Sequence, residues 1–386
     1  MKNGFWILFV LVASLCAAQT RPPAVLSDSA RISLLTGSAG SDLYSIFGHS
    51  AIHVYDPANR LDRCYNYGTF DLDQPNFYIL FLQGKLLYFV NPEPYKALVY
   101  GYSIEQRNLQ EQELHLNDSL KQRLYELLQE NLKEENRYYL YDFFYDNCST
   151  RIREMFKTLY AGQLVYNYEG LPVGSTMRTL LHAKLGAIPW TRFGMDLILG
   201  QPTDKVATPD DFMFLPDYLH DVVGRTNTPD GQPLVAREWM TPDAPYPPPN
   251  AQPPFYAQPL FALLLVSVLG LLLLRFGIGS RWVENTLTVV LGVSGLIMLF
   301  MWVGTDHVTT KINWNLLWAL PTHLVFGFTA LRRYHWMVAG VLAAGVLLGW
   351  FFMPQQLPVE IIPLLVLIVG VGGNRARELR FLQALR

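Results

Sequence analysis

Residues 141–156 read YDFFYDNCSTRIREMF, and the fold turns on how this stretch is read. Its continuation TRIREMFKTLY places Ile152, Met155, Phe156 and Leu159 on one face of a helix. Asp146 and Asn147 stand where such a helix is capped, so Cys148 falls in its first turn. Four backbone N–H groups without intrahelical partners and the positive end of the helix dipole gather there. A thiol in that position shifts toward the thiolate, its nucleophilic form. The same N–H groups can donate to the oxyanion formed when a carbonyl is attacked. The missing component is a base.

Histidine is scarce, with eight residues in the chain, and two of them lie in YSIFGHSAIHVYD (44–56). Gly48 precedes His49 and a strand-like run follows, on which His49 and His53 share a face. No neighbouring cluster of Cys, Asp and Glu completes a metal site around that pair, so neither a metal nor another cofactor is expected. His49 with Cys148 supplies a base and a nucleophile. In an oxidising compartment Cys148 can equally pair with Cys64 as a disulfide, and a strand histidine also serves as a structural hydrogen-bonder. Spacing alone leaves both readings open.

Working outward, ARISLLTG (30–37), SAIHVYD (50–56) and CYNYGTFD (64–71) read as strands. NDSLKQRLYELLQENLKEEN (117–136) reads as a helix, with Leu120, Leu124, Leu127, Leu128 and Leu132 in register and Asn117 or Asp118 as its cap. The domain is therefore α+β. PNFYILFLQGKLLYFV (75–90) is unusually apolar and serves either as core or as a membrane-dipping segment.

The whole chain has 386 residues, of which 51% are hydrophobic, and a positive mean hydropathy of +0.15. That excess sits at both ends. MKNGFWILFVLVASLCAAQT (1–20) has Lys2, an apolar core from Phe5 to Leu15 and small residues ending at Ala18, the pattern of an export signal over 1–18. Leu15 before Cys16 fits a lipidation site poorly. A domain over 19–240 follows, then a Pro-rich spacer over 241–258. The remainder, 259–386, reads as five membrane helices at about 259–276, 284–304, 314–331, 335–353 and 358–374. Arg275, Arg281, Arg332, Arg333, Arg375, Arg377, Arg380 and Arg386 follow the first, third and fifth spans, whereas the opposite loops hold only Lys311. The positive-inside rule then places the N-terminal domain outside the cytoplasm and the C-terminus inside.

Charge divides in the same way, −7 over residues 1–258 and +5 over 259–386. No basic stripe invites nucleic acid, and there is no internal repeat. In the membrane part, TDHVTTKINWNLLWALPTH (305–323) gathers Asp306, His307, Asn313 and Asn315 at the extracytoplasmic face. These residues either bind a lipid headgroup or dock the N-terminal domain. His323 lies deeper, in the third span.

LYSIFGHSAIHVYD (43–56), YNYGTFDLDQPNFYILFLQGKLLY (65–88), YYLYDFFYDNCSTRIRE (138–154) and FGMDLILGQPTDKVATPDDFMFLPDYL (193–219) together resemble the Lnb-type N-terminal periplasmic domain. The tail with TDHVTTKINWNLLWALPTH resembles the five-span membrane domain that accompanies it. The order His first, Cys later is also similar to circularly permuted papain-like (NlpC-type) folds, among them the lecithin:retinol acyltransferase group. The resemblance implies a lipoprotein N-acyltransferase in the inner membrane of a Gram-negative bacterium. Its acyl donor would be a membrane phospholipid and its acceptor the diacylglyceryl-cysteine of a lipoprotein. It also implies Cys148 as nucleophile, His49 as base and Asn66, chosen over Tyr65 and Asp71, as the orienting group. Asp142, Tyr145 and Asn147 are expected to shape the oxyanion site, and His53, His307 and Asn315 to touch substrate. The rival readings are a periplasmic cysteine peptidase or amidase using the same pair, and a non-enzymatic scaffold holding a Cys64–Cys148 bridge.

Overall fold

The structure, a computed structural model, describes residues 25–42, 44–243, 245–246 and 253–384. The expected signal at 1–18 and part of the Pro-rich spacer, residues 244 and 247–252, lie outside the described residues.

The N-terminal domain is built on one antiparallel sheet of seven strands: β1 (Arg31–Gly37), β2 (His49–Asp56), β3 (Leu61–Thr69), β4 (Leu87–Pro94), β5 (Leu109–Leu114), β6 (Tyr138–Leu140) and β7 (Val235–Thr241). Their order is β6-β4-β3-β2-β1-β5-β7, so the first three strands form a meander at the centre. Alternation along each strand sends successive side chains to opposite faces. Ile32, Leu34, Ile52, Val54, Tyr65 and Tyr67 face the larger core. That core is covered by α3 (Asp118–Asn131) and α4 (Cys148–Leu159). Leu35, Ala51 and Cys64 face the other way, under α2 (Tyr95–Ile104). Asn117 caps α3 as expected, its side chain accepting from the Leu120 N–H at 2.9 Å. The expected apolar face of α4 is buried in full. Between β3 and β4 lies α1 (Phe77–Gln83), which has no buried residue.

Further helices α5 (Met177–Leu185), α6 (Pro189–Ile198) and α7 (Pro216–Arg225) complete the domain. Arg178 on α5 is wholly buried. It pairs with Asp196 at 2.9 Å and Asp204 at 2.8 Å and donates to the Leu199 and Gly200 carbonyls. This bundle of charge-assisted bonds fixes the end of α6.

The C-terminal region is helical and apolar: α8 (Pro259–Phe276), α9 (Ser280–Val303), α10 (Arg332–Leu348) and α11 (Ile362–Ala384). Among the described residues, three helical stretches, Pro259–Phe276, Ser280–Val303 and Val359–Ala384, are long and apolar enough to cross a membrane. The expected third span, 314–331, differs. It is not one helix but a 3-10 turn at Trp314–Leu317 and a single helical turn at His323–Phe326. Pro321 cannot donate to the helical ladder and restricts the residue before it. The broken segment instead presses into α9, where a Cβ on Gly295 would lie 2.0 Å from the Ala319 carbonyl oxygen. The expected span 335–353 is the shorter α10, which ends in a turn at Trp350–Phe352.

Candidate active site

Asn147 caps α4 with its side-chain oxygen, accepting from the Ser149 and Thr150 N–H groups at 2.9 Å each. Thr150 Oγ1 in return accepts from the Asn147 N–H at 2.8 Å, which closes a capping box. Cys148 thereby becomes the first residue of the helix. It is 8% exposed, and the Ser149 hydroxyl behind it hydrogen-bonds Ser50 on β2 at 2.9 Å. That bond ties the mouth of the helix to the strand that carries His49.

His49 opens β2 directly after Gly48, whose φ of +78° belongs to the left-handed region. A side chain at Gly48 would also meet the Gly37 carbonyl at 2.7 Å, so glycine alone fits the bend that starts the strand. His49 Nε2 lies 3.1 Å from Asn66 Oδ1, and Asn66 Nδ2 donates to Glu93 on β4 at 2.6 Å. The carboxylate of Glu93 must accept, which turns the amide oxygen of Asn66 toward His49. An amide oxygen cannot donate, so His49 carries its proton on Nε2. Nδ1 is left for the hydrogen bond between His49 and Cys148.

Electrostatics agree with that arrangement. Burial pushes the Cys148 thiol up, but the His49 imidazolium, its hydrogen bond, and donation from the Ser50 N–H and the Ser149 hydroxyl outweigh burial and hold it below its ordinary value. Burial likewise pulls His49 down, and the Cys148 thiolate with the Asn66 contact lifts it above its ordinary value. Each partner favours the charged form of the other, the mutual stabilisation that a thiolate–imidazolium pair requires.

The remaining expected residues are placed elsewhere. His53 does not join His49. It is buried with Nδ1 on Glu111 at 2.7 Å and Nε2 on Asp62 at 2.9 Å, and it stacks on Tyr95 with centroids 4.1 Å apart. Asn147 is fully used by its cap and by donating to the Phe143 and Phe214 carbonyls, each at 2.8 Å, so it has no donor left for an oxyanion. Tyr145 lines the cleft between α3 and α4, beside Asn131 and Arg151. Asp142 closes the preceding turn, accepting from Phe144 and Tyr145. Tyr65 belongs to the core and accepts from Gln129.

His307 and Asn315 serve the docking of the two domains. His307 packs on Gly84, just beyond α1, and the neighbouring Asp306 N–H donates to Gln83 at 2.9 Å. Asn315 donates to the Asp196 carbonyl at 3.1 Å, and Asn313 donates to the carbonyls of Leu197 at 2.6 Å and Ile198 at 3.1 Å. Cys64 and Cys148 are both free thiols, so the expected alternative of a bridge between them is not formed.

Glu93 and Ser50 escaped the sequence reading. Glu93 lies in the unremarkable NPEP at the end of β4. Only the register that sets Asn66 opposite Asn91 brings its carboxylate to Asn66.

Comparison with known families agrees at both ends of the chain. The model of the Lnb N-terminal periplasmic domain matches residues 23–183, which include every residue of the Cys148–His49–Asn66–Glu93 chain. The model of the Lnb transmembrane domain matches residues 251–375. Comparison with curated proteins and with solved structures gave no match. With both domains present and in that order, the chain belongs to the Lnb family, membrane proteins with a periplasmic N-terminal region whose family ties it to lipoprotein N-acylation.

Proposed function

We propose that this protein is a lipoprotein N-acyltransferase acting through a thioester on Cys148. The observation that carries the reading is the Cys148–His49 pair, oriented by Asn66 and Glu93, on a domain hydrogen-bonded to the membrane domain. In the first half-reaction the Cys148 thiolate attacks an ester carbonyl of a membrane phospholipid. The His49 imidazolium gives its proton to the departing glycerol oxygen, leaving a thioester and a lysophospholipid. In the second, the neutral α-amine of a diacylglyceryl-cysteine attacks the thioester. His49 takes the amine's proton as the thiolate departs, and an amide is formed. Two sequential transfers through one nucleophile require ping-pong kinetics. Substrates anchored in the bilayer explain why the domain is held to membrane helices.

In this reading the domain is a permuted papain-like unit in the periplasm. Residues 1–18 direct export, and the C-terminus is cytoplasmic at the inner membrane.

Mass spectrometry of a lipoprotein's N-terminal peptide tests the proposal. The host lacks its own N-acyltransferase and expresses either the intact protein or Cys148→Ala. An added acyl chain with the intact protein and none with the variant is expected. A chain added equally by both would overturn the mechanism. None added by an intact, membrane-inserted protein would turn the assignment to peptide hydrolysis by the same pair.

A further inference from the structure

The helix α1 is an anomaly for a domain with a well-filled core. Its sequence FYILFLQ carries no charge, and none of its residues is buried. Tyr78 is 77% exposed, and Ile79, Phe81 and Leu82 are each at least half exposed, with Leu72 beside them at 67%. A cluster of this size on a protein surface marks a contact with something apolar. Its position says what that is. The Gln83 carbonyl at the end of α1 accepts from the Asp306 N–H at 2.9 Å, Gly84 packs on His307, and Lys85 pairs with Asp306 at 3.9 Å. Residues 304–307 directly follow α9, so α1 is anchored where a membrane helix leaves the bilayer.

We propose that α1 lies in the bilayer surface with its exposed face covered by phospholipid acyl chains, and that it forms the lipid entrance to Cys148. A row of aromatic rings continues inward from it. Phe77 meets Phe70 at 5.7 Å, Phe70 meets Tyr88 at 5.4 Å, and Tyr88 stacks on Tyr141 at 4.5 Å. Tyr141 in turn lies beside Cys148. An acyl chain leaving the bilayer along these rings stays in apolar surroundings until its ester approaches the thiol. Lys85, just beyond α1, keeps its half-exposed ammonium by Asp306, a charged group placed as lysines at membrane surfaces are. The entrance role rests on the acyl-transfer reading, whereas the burial of α1 in lipid does not.

The full chain is reconstituted in phosphatidylethanolamine–phosphatidylglycerol vesicles containing a trace of phospholipid with a diazirine in its acyl chain. After illumination, labelled peptides are mapped by mass spectrometry. Label on the peptide containing Phe77–Gln83, at a level comparable to α9, is expected. Label on α9 with none on α1, as would follow if a protein partner covered the face, overturns the proposal. The double variant Ile79→Glu/Leu82→Glu changes only exposed side chains. It should lose the α1 label and transfer acyl chains from vesicle phospholipid at least 10-fold more slowly, while iodoacetamide alkylates Cys148 at an unchanged rate. Undiminished transfer by that variant overturns the entrance. If the unaltered protein transfers nothing, the acyl-transfer reading fails, and the labelling result alone still decides whether α1 lies in lipid.

Discussion

Burial and charge pull the Cys148 thiol in opposite directions, and His49 decides the balance. The thiol, lowered from its ordinary value, is ionised at a lower pH than a free cysteine, and His49, raised, stays protonated to a higher one. Both shifts favour the thiolate–imidazolium pair, and protonation of the thiolate removes that pair on the acid side. Alkylation of Cys148 by iodoacetamide should accordingly rise at a midpoint below that of an ordinary thiol. In His49→Ala burial remains without its counterweight, so the midpoint should move above the ordinary value. Superimposable profiles for the two proteins would remove His49 from the pair. Asn66 acts on His49 by position. Asn66→Ala frees the ring to turn and should lower turnover by about 10²-fold, the scale of a misplaced catalytic group. Glu93→Gln, whose amide oxygen can still accept from Asn66, should cost far less. Equal losses in the two variants, measured as steady-state turnover, would mean that the charge of Glu93 matters and not its grip on the amide.

Among the elements, α4 is held by an unusually complete cap. Asn147→Ala removes two accepted bonds, a cost of about 1–2 kcal/mol. It also strands the buried Phe214 carbonyl, at roughly 1 kcal/mol or more. Thermal unfolding of the detergent-solubilised full chain should show the loss as a lower midpoint, and an unchanged midpoint would mean that the cap is replaced by other donors. This element was legible in the sequence because its signals are local: an Asn before the first turn and apolar residues three and four apart. The same holds for Asn117 and α3, and for the alternating strands around His49. Register is not local, which is why Asn66 needed the family resemblance and Glu93 gave no sign at all. The broken third span failed for another reason. Residues 314–331 are apolar enough for a helix, but Pro321 and the close approach of Ala319 to Gly295 are satisfied only by a folded-back chain. Hydropathy records composition and misses such a contact.

Across the whole molecule, the seam between the domains is built from unfinished helix chemistry. The last carbonyls of α6 lack intrahelical donors. Asn313 and Asn315 supply them from the membrane domain, while Gln355 donates to the Leu199 carbonyl at 3.0 Å. The Arg192–Glu360 ion pair closes the same seam. Asn315→Leu should leave the Asp196 carbonyl without its donor and the Trp318 indole N–H without its acceptor, at about 1–3 kcal/mol each. The α6 amides of that variant should exchange with deuterium faster than those of the unaltered protein, with exchange in β1–β3 unchanged. Equal exchange in α6 would show the seam to be held without Asn315. The polar residues of 305–323 stood out in the sequence, yet two roles were open to them, because only the meeting of distant segments reveals which carbonyls they serve.

The placement of the two thiols carries a consequence for the life of the molecule. Cys64 packs beneath α2 in the interior of β3, whereas Cys148 stands at the mouth of α4 against the start of β2. Burial, reinforced by Glu93, Glu111 and Asp62, keeps the Cys64 thiol protonated, which deprives it of the form that attacks other sulfurs. Among the described residues the chain therefore offers Cys148 no second thiolate to exchange with, and the sulfur proposed as nucleophile stays free on a periplasmic domain.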